Sequence, residues 1–125
     1  MNKKRIMIVD DEAAFTRLLK LSLEQTGHYS VRVENDPRGA VQAAKDFLPD
    51  LVLMDVMMPG MDGGLLAEQF KTSAPLEKVP IVFLTAAVKR EEVRARQGQI
   101  GGLPFLAKPV DLGELTQCIQ SHLRA

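Results

Sequence analysis

A chain of 125 residues that is 46% hydrophobic and 26% charged holds enough apolar material for one sizeable core and is not a disordered segment. Its 16 basic and 16 acidic side chains cancel, so no overall field draws it to nucleic acid or to an anionic membrane. One cysteine, Cys118, excludes an internal disulfide, and the apolar stretch Ile6 to Val9 is too short for a signal-peptide core; with no long apolar span, a reducing, cytoplasmic setting is expected.

The run RIMIV, Arg5 to Val9, reads as a short buried strand, and the basic residues Lys3 to Arg5 as its solvated flank. A helix follows from about Glu12 to Thr26. Ala14, Leu18 and Leu21, with Phe15, Leu19 and Leu23, fall at three- and four-residue spacing, and Gly27 ends the pattern. YSVRV, from Tyr29, alternates as a strand near a sheet edge does. Asp36 is placed to cap a second helix with Pro37 at its first position, and Pro49 interrupts that helix. Leu51 to Met54 is an apolar third strand that runs into Asp55.

A third helix, about Gly64 to Thr72, presents Leu66 and Phe70 on one face; SAPLEKVP is loop, and Ile81 to Thr85 a fourth strand. Ala86 to Gly102 carries the weakest helical pattern, anchored by little beyond Val88 and Val93. Two glycines and a proline around Ile100 should end that helix early. Pro104 to Ala107 is a fifth strand. Asp111 and Glu114 resemble a capping box for a last helix, with Leu112, Leu115, Ile119 and Leu123 on one face and Cys118 as a packing or surface residue. Strands and helices alternating in one domain predict a doubly wound α/β fold, a five-stranded parallel sheet with helices on both faces.

In such a sheet the residues just past each strand's C-terminal end gather at one edge, where ligands bind. Asp10 and Asp11 follow the first strand, Asp55 the third, Thr85 ends the fourth, and Lys108 with Pro109 follows the fifth. Each has a plain explanation alone: a helix cap, a loop acid, a strand threonine, a surface lysine, and in PGMDGG a tight turn. Together they suit other chemistry. Converging carboxylates repel unless one is protonated or a cation sits among them, and an oxygen-only set suits Mg²⁺. A threonine hydroxyl and a lysine ammonium are what a bound phosphoryl group needs, so the set reads as a Mg²⁺-dependent aspartyl-phosphate site with Asp55 as nucleophile.

IVDDE, LVLMDVMMPGMDG, IVFLTA and FLAKP, in that order, resemble the receiver domain of two-component response regulators, of chemotaxis-regulator type, over essentially the whole chain. The resemblance implies the flavodoxin-like strand order 2-1-3-4-5 and a single receiver domain over 1–125 with no output domain in this chain. It implies that Asp55 accepts a phosphoryl group from a histidine kinase or phosphotransfer protein. Asp11, Asp55 and the Met57 backbone carbonyl would hold Mg²⁺, for which Mn²⁺ can substitute, and Asp10 would act through a water. Lys108, Thr85 and the amides of Val56, Met57 and Ala86 would contact the phosphoryl oxygens, and the Lys108–Pro109 bond would be cis. Further partners would be a downstream protein or a missing output domain, with no nucleic acid or membrane, and the chain a monomer or weak phosphorylation-dependent dimer.

Phe105 stands where the family often has tyrosine as a switch partner of Thr85, so its switch would rest on packing without a hydroxyl. RQGQIGGLP replaces the usual ending of the fourth helix and makes the output face idiosyncratic. Neither Met57 nor Ala87 can orient water, and Met57 crowds the in-line approach, so spontaneous dephosphorylation should be slow. The alternatives are a haloacid-dehalogenase-like Mg²⁺ phosphatase, which would need an acid where Met57 stands, and a receiver-like module that binds partners without phosphorylation. A nucleotide-binding loop is absent after the first strand.

Overall fold

The computed structural model describes residues 3–86, 99–100 and 103–123. In chain order the elements are β1 (Lys4–Val9), α1 (Ala13–Gln25), β2 (Tyr29–Glu34), a 3₁₀ turn (Pro37–Gly39) running into α2 (Ala40–Phe47), β3 (Leu51–Asp55), and a small hairpin of β4 (Met57–Met58) and β5 (Met61–Asp62). Then come α3 (Gly63–Lys71), β6 (Ile81–Thr85), β7 (Gln99–Ile100), β8 (Leu103–Ala107) and α4 (Leu112–His122). The main sheet runs β2-β1-β3-β6-β8-β7. Its first five strands are parallel, so the expected order 2-1-3-4-5 holds with β6 and β8 as fourth and fifth. The two-residue β7 pairs antiparallel with β8 and was not expected. The weak helix of the sequence reading falls mostly on 87–98 and 101–102, outside the described residues. Gln99–Ile100 is strand, consistent with the helix ending before Ile100.

The central strands are buried on both faces because their apolar runs are continuous, and the side-chain period of two splits them between two cores. Met7, Val9, Val52, Met54 and Phe83 pack with Ala43, Leu66 and Phe70 of α2 and α3. Ile6, Ile8, Leu53, Val82 and Leu84 pack with Leu19, Leu23, Leu115 and Ile119 of α1 and α4. Cys118 joins this second core as a packing residue; burial pushes its thiol up to about 11. Leu76, in the loop before β6, is buried as well.

Two expected apolar faces are narrower than their spacing suggested. On α1 only Thr16, Leu19 and Leu23 are buried, while Leu18 (67% exposed) and Leu21 (52%) face outward with Ala14. At α4, Leu112 is exposed, Leu115 and Ile119 are buried, and Leu123 just past the helix packs partly buried against the same core. A helix on a sheet buries one stripe, and a second apolar line beside it need not be covered. Leu18→Gln and Leu21→Gln should each change the unfolding free energy by no more than about 0.5 kcal/mol. Urea unfolding of the two variants checks this; a loss of several times that size would mean that both side chains are packed.

Local signals set the helix ends. Asp36 accepts a hydrogen bond from the Arg38 amide (3.0 Å), so cap and proline open the 3₁₀ turn rather than α2 itself. Asp62 caps α3 through the Gly64 amide (2.7 Å), and Asp111 accepts from the Glu114 amide (3.0 Å) to cap α4. Among the described residues no helix is long and apolar enough to cross a membrane.

Candidate functional site

Four strand ends deliver the site. Asp10 follows β1 and is fully buried. Its amide donates to the Glu34 carbonyl (3.2 Å), its Oδ1 accepts from the Glu12 amide (3.0 Å), and its carbonyl accepts from Asn35 Nδ2 (2.7 Å), which also donates to Thr16 Oγ1 (3.0 Å). Asp55 and Thr85 are the buried last residues of β3 and β6. Lys108 follows β8, its amide donating to the Thr85 carbonyl (3.0 Å), and the Lys108–Pro109 peptide is cis. Asp11 is exposed at the rim.

Carboxylate oxygens of Asp10, Asp11 and Asp55 lie within 4.8 Å of one another. Asp11 and Asp55 line a cavity of about 340 Å³ together with Glu12, Met57, Thr85, Ala86 and Lys108, and Asp10 lies buried behind them. Burial first, then the Asp10 and Asp11 charges, push the Asp55 carboxyl above its ordinary value; Lys108 and a hydrogen bond from the Met57 amide oppose them without winning. Burial would lower the Lys108 ammonium, but contact with Asp10 and Glu12 and the charges of Asp10 and Asp55 raise it. The donor chemistry fits a hard divalent cation. All three ligating groups offer oxygen, and buried Asp10 Oδ2 accepts no well-aligned hydrogen bond.

Lys108 stands among three carboxylates, nearer to Asp10 and Glu12 than to Asp55. Lys108 Nζ stands 2.7 Å from Asp10 Oδ2 and 2.7 Å from Glu12 Oε1, but 3.6 Å from Asp55 Oδ1. It also lies 4.7 Å from the centre of the Phe15 ring, a cation–π distance.

The family model described as a response regulator receiver domain matches residues 6–120. The chain belongs to the response regulator receiver family. It is 40% identical over 108 residues to the response regulator PleD of Caulobacter vibrioides, covering 86% of this chain but only 23% of that protein. Against the polar-differentiation response regulator DivK of Brucella anthropi it is 31% identical, with 96% of each chain covered. Among solved structures, the chemotaxis protein CheY4 of Vibrio cholerae superposes with a TM-score of 0.82 at 26% identity, covering 98% of this chain and 100% of that one. A putative response regulator from Chloroflexus aurantiacus also gives 0.82, at 30% identity and 98% coverage of both.

Of the amides the resemblance assigned in this receiver, Met57 and Ala86 belong to residues that line the cavity. Val56 does not line it; its amide extends the β3–β6 ladder, donating to the Leu84 carbonyl (3.3 Å). Met57 is 70% exposed beside the acceptor, and Ala87 lies outside the described residues. Phe105 is partly buried against the first core, its ring 5.1 Å from that of Phe83. Glu12, Phe15, Asn35 and Gly63 were not singled out from the sequence as site residues. Only Glu12 carried a signal, as the third acid of DDE.

Proposed function

We propose that this receiver accepts a phosphoryl group on Asp55, delivered by a histidine kinase or phosphotransfer protein. The observation that carries the reading is a buried carboxylate at the end of β3, opening into the cavity with the Lys108 ammonium 3.6 Å from its Oδ1. Asp55 Oδ1 attacks phosphorus, the bond from phosphorus to the donor's imidazole nitrogen breaks, and the imidazole leaves as an acyl phosphate forms. Asp11, Asp55 and the Met57 carbonyl would hold Mg²⁺, with Asp10 acting through a water, and the ion would supply charge neutralisation for the transferring group. Lys108, the Thr85 hydroxyl and the amides of Met57 and Ala86 bind the phosphoryl oxygens. The added charge draws Thr85 inward and biases the packing of Phe105 and the loop at Ala86.

In this proposal residues 1–125 form one receiver domain. It works in the cytoplasm as a monomer or weak phosphorylation-dependent dimer, and passes its state to a protein partner or output domain without touching nucleic acid or membrane itself. Intact mass after incubation with acetyl phosphate tests it. One phosphoryl group should be gained, dependent on Mg²⁺ and absent in Asp55→Ala. After donor removal the adduct should persist well beyond seconds. Gain of mass by Asp55→Ala would sink the assignment of the acceptor.

A further inference from the structure

Lysine has three N–H donors. In Lys108 one is donated to Glu12 Oε1 at 2.7 Å, the ammonium is ion-paired with Asp10 Oδ2 at the same distance, Asp55 Oδ1 is 3.6 Å off, and the Phe15 ring closes another side. The two near partners are not equivalent. Asp10 is fully buried, and losing Lys108 would strand its carboxylate away from water. The Glu12 side chain is 59% exposed, so its release returns a carboxylate to solvent at small cost. Glu12 also lines the cavity through which any donor must approach Asp55.

We propose that Glu12 is a latch on Lys108, holding the ammonium off Asp55 until a phosphoryl group displaces it. This rests on the reading of Asp55 as acceptor. With acetyl phosphate, phosphorus bonds to Asp55 Oδ1, the bond to the acetyl oxygen breaks and acetate leaves. A phosphoryl oxygen then accepts the Lys108 N–H that Glu12 gives up. Lys108 stays an ammonium and Glu12 a carboxylate throughout. Glu12 acts through Lys108 and is a positioning residue. It sits at the N-cap of α1 without a side-chain capping bond, so replacing it leaves the helix start intact.

Glu12→Gln removes the charge, while Glu12→Asp keeps the charge on a side chain one methylene shorter, out of reach of Lys108. Both should take phosphate from acetyl phosphate about two- to fivefold faster than wild type, the span that corresponds to an ion pair whose carboxylate is exposed. In the same samples without donor, the Lys108 ammonium resonance, assigned by its loss in Lys108→Met, should move in both variants. If Glu12→Gln is fast but Glu12→Asp matches wild type, Glu12 only repels the donor, and the latch is overturned. Unchanged or slower rates in both overturn it too. A wild type that takes up no phosphoryl group, with the Lys108 signal moving in both variants, would instead overturn the acceptor reading and leave the Glu12–Lys108 hold standing.

Discussion

Asp55→Asn should take up no phosphoryl group and, without divalent cations at pH 7, should resist urea better than the wild type. The group that makes the site reactive is one the fold carries at a cost. Asp55 lies buried among the oxygens of Asp10 and Asp11, and its carboxyl is raised from the ordinary 3.8, by burial first and by those charges next. A carboxyl raised in the folded state binds protons more tightly there than in the unfolded chain. Its contribution is therefore fully present below the unfolded value near 3.8 and is lost as the pH climbs through the higher folded-state value. The advantage of Asp55→Asn should open between acid and neutral pH and shrink again in acid. A divalent cation should narrow it from the other side. At 100 times its dissociation constant, a ligand of the folded state stabilises by about 2.7 kcal/mol, and a variant that has lost one carboxylate should gain less. Urea midpoints at several pH values, with and without Mg²⁺, measure both effects. A variant weaker than wild type at pH 7 without metal would mean that the Lys108 pairing outweighs burial and repulsion.

What sequence alone could reach follows from which interactions are local. The apolar runs of β1, β3 and β6 are buried throughout their inner residues on both faces, so their type and the parallel class could be read directly. Strand ends then located Asp10, Asp11, Asp55, Thr85 and Lys108 at one edge. Periodicity could not say which of two apolar lines on α1 would be covered, because that depends on what packs against the helix. It also could not find Leu76, a single apolar residue in an aperiodic loop. Side-chain pairing was further out of reach. Glu12 and Lys108 are 96 positions apart, and their contact depends on how two long side chains settle once the sheet edge exists. Strand-end logic brings residues to an edge; it does not rank the carboxylates there by distance.

Gly63→Ala should damage both fold and site, although it adds only one methyl group. The Pro59–Gly60 tip, with Gly60 at φ +81°, turns β4 back on β5 and brings the first residue of α3 against the end of the acceptor strand. At the first residue of that helix the Gly63 amide donates to the Val56 carbonyl at 2.7 Å. A Cβ on Gly63 would run into the Asp55 carbonyl oxygen and come within 2.9 Å of Val56 Cα. Both obstacles are backbone, which cannot swing aside as a side-chain tip can. Either the start of α3 or the Asp55–Val56 peptide must move. The strain should cost about 1–3 kcal/mol in urea unfolding. Displacing the acceptor by even part of an ångström should slow its phosphorylation by about tenfold or more. Gly64→Ala is the matched control. Its Cβ would meet only the Asp62 carboxylate, at 3.2 Å, and alanine is the better helix former by roughly 0.5–1 kcal/mol. That variant should keep wild-type phosphorylation and lie within about 1 kcal/mol of wild-type stability. If the two substitutions behaved alike, the close approach of Gly63 to the acceptor strand would not be what shapes this edge of the site.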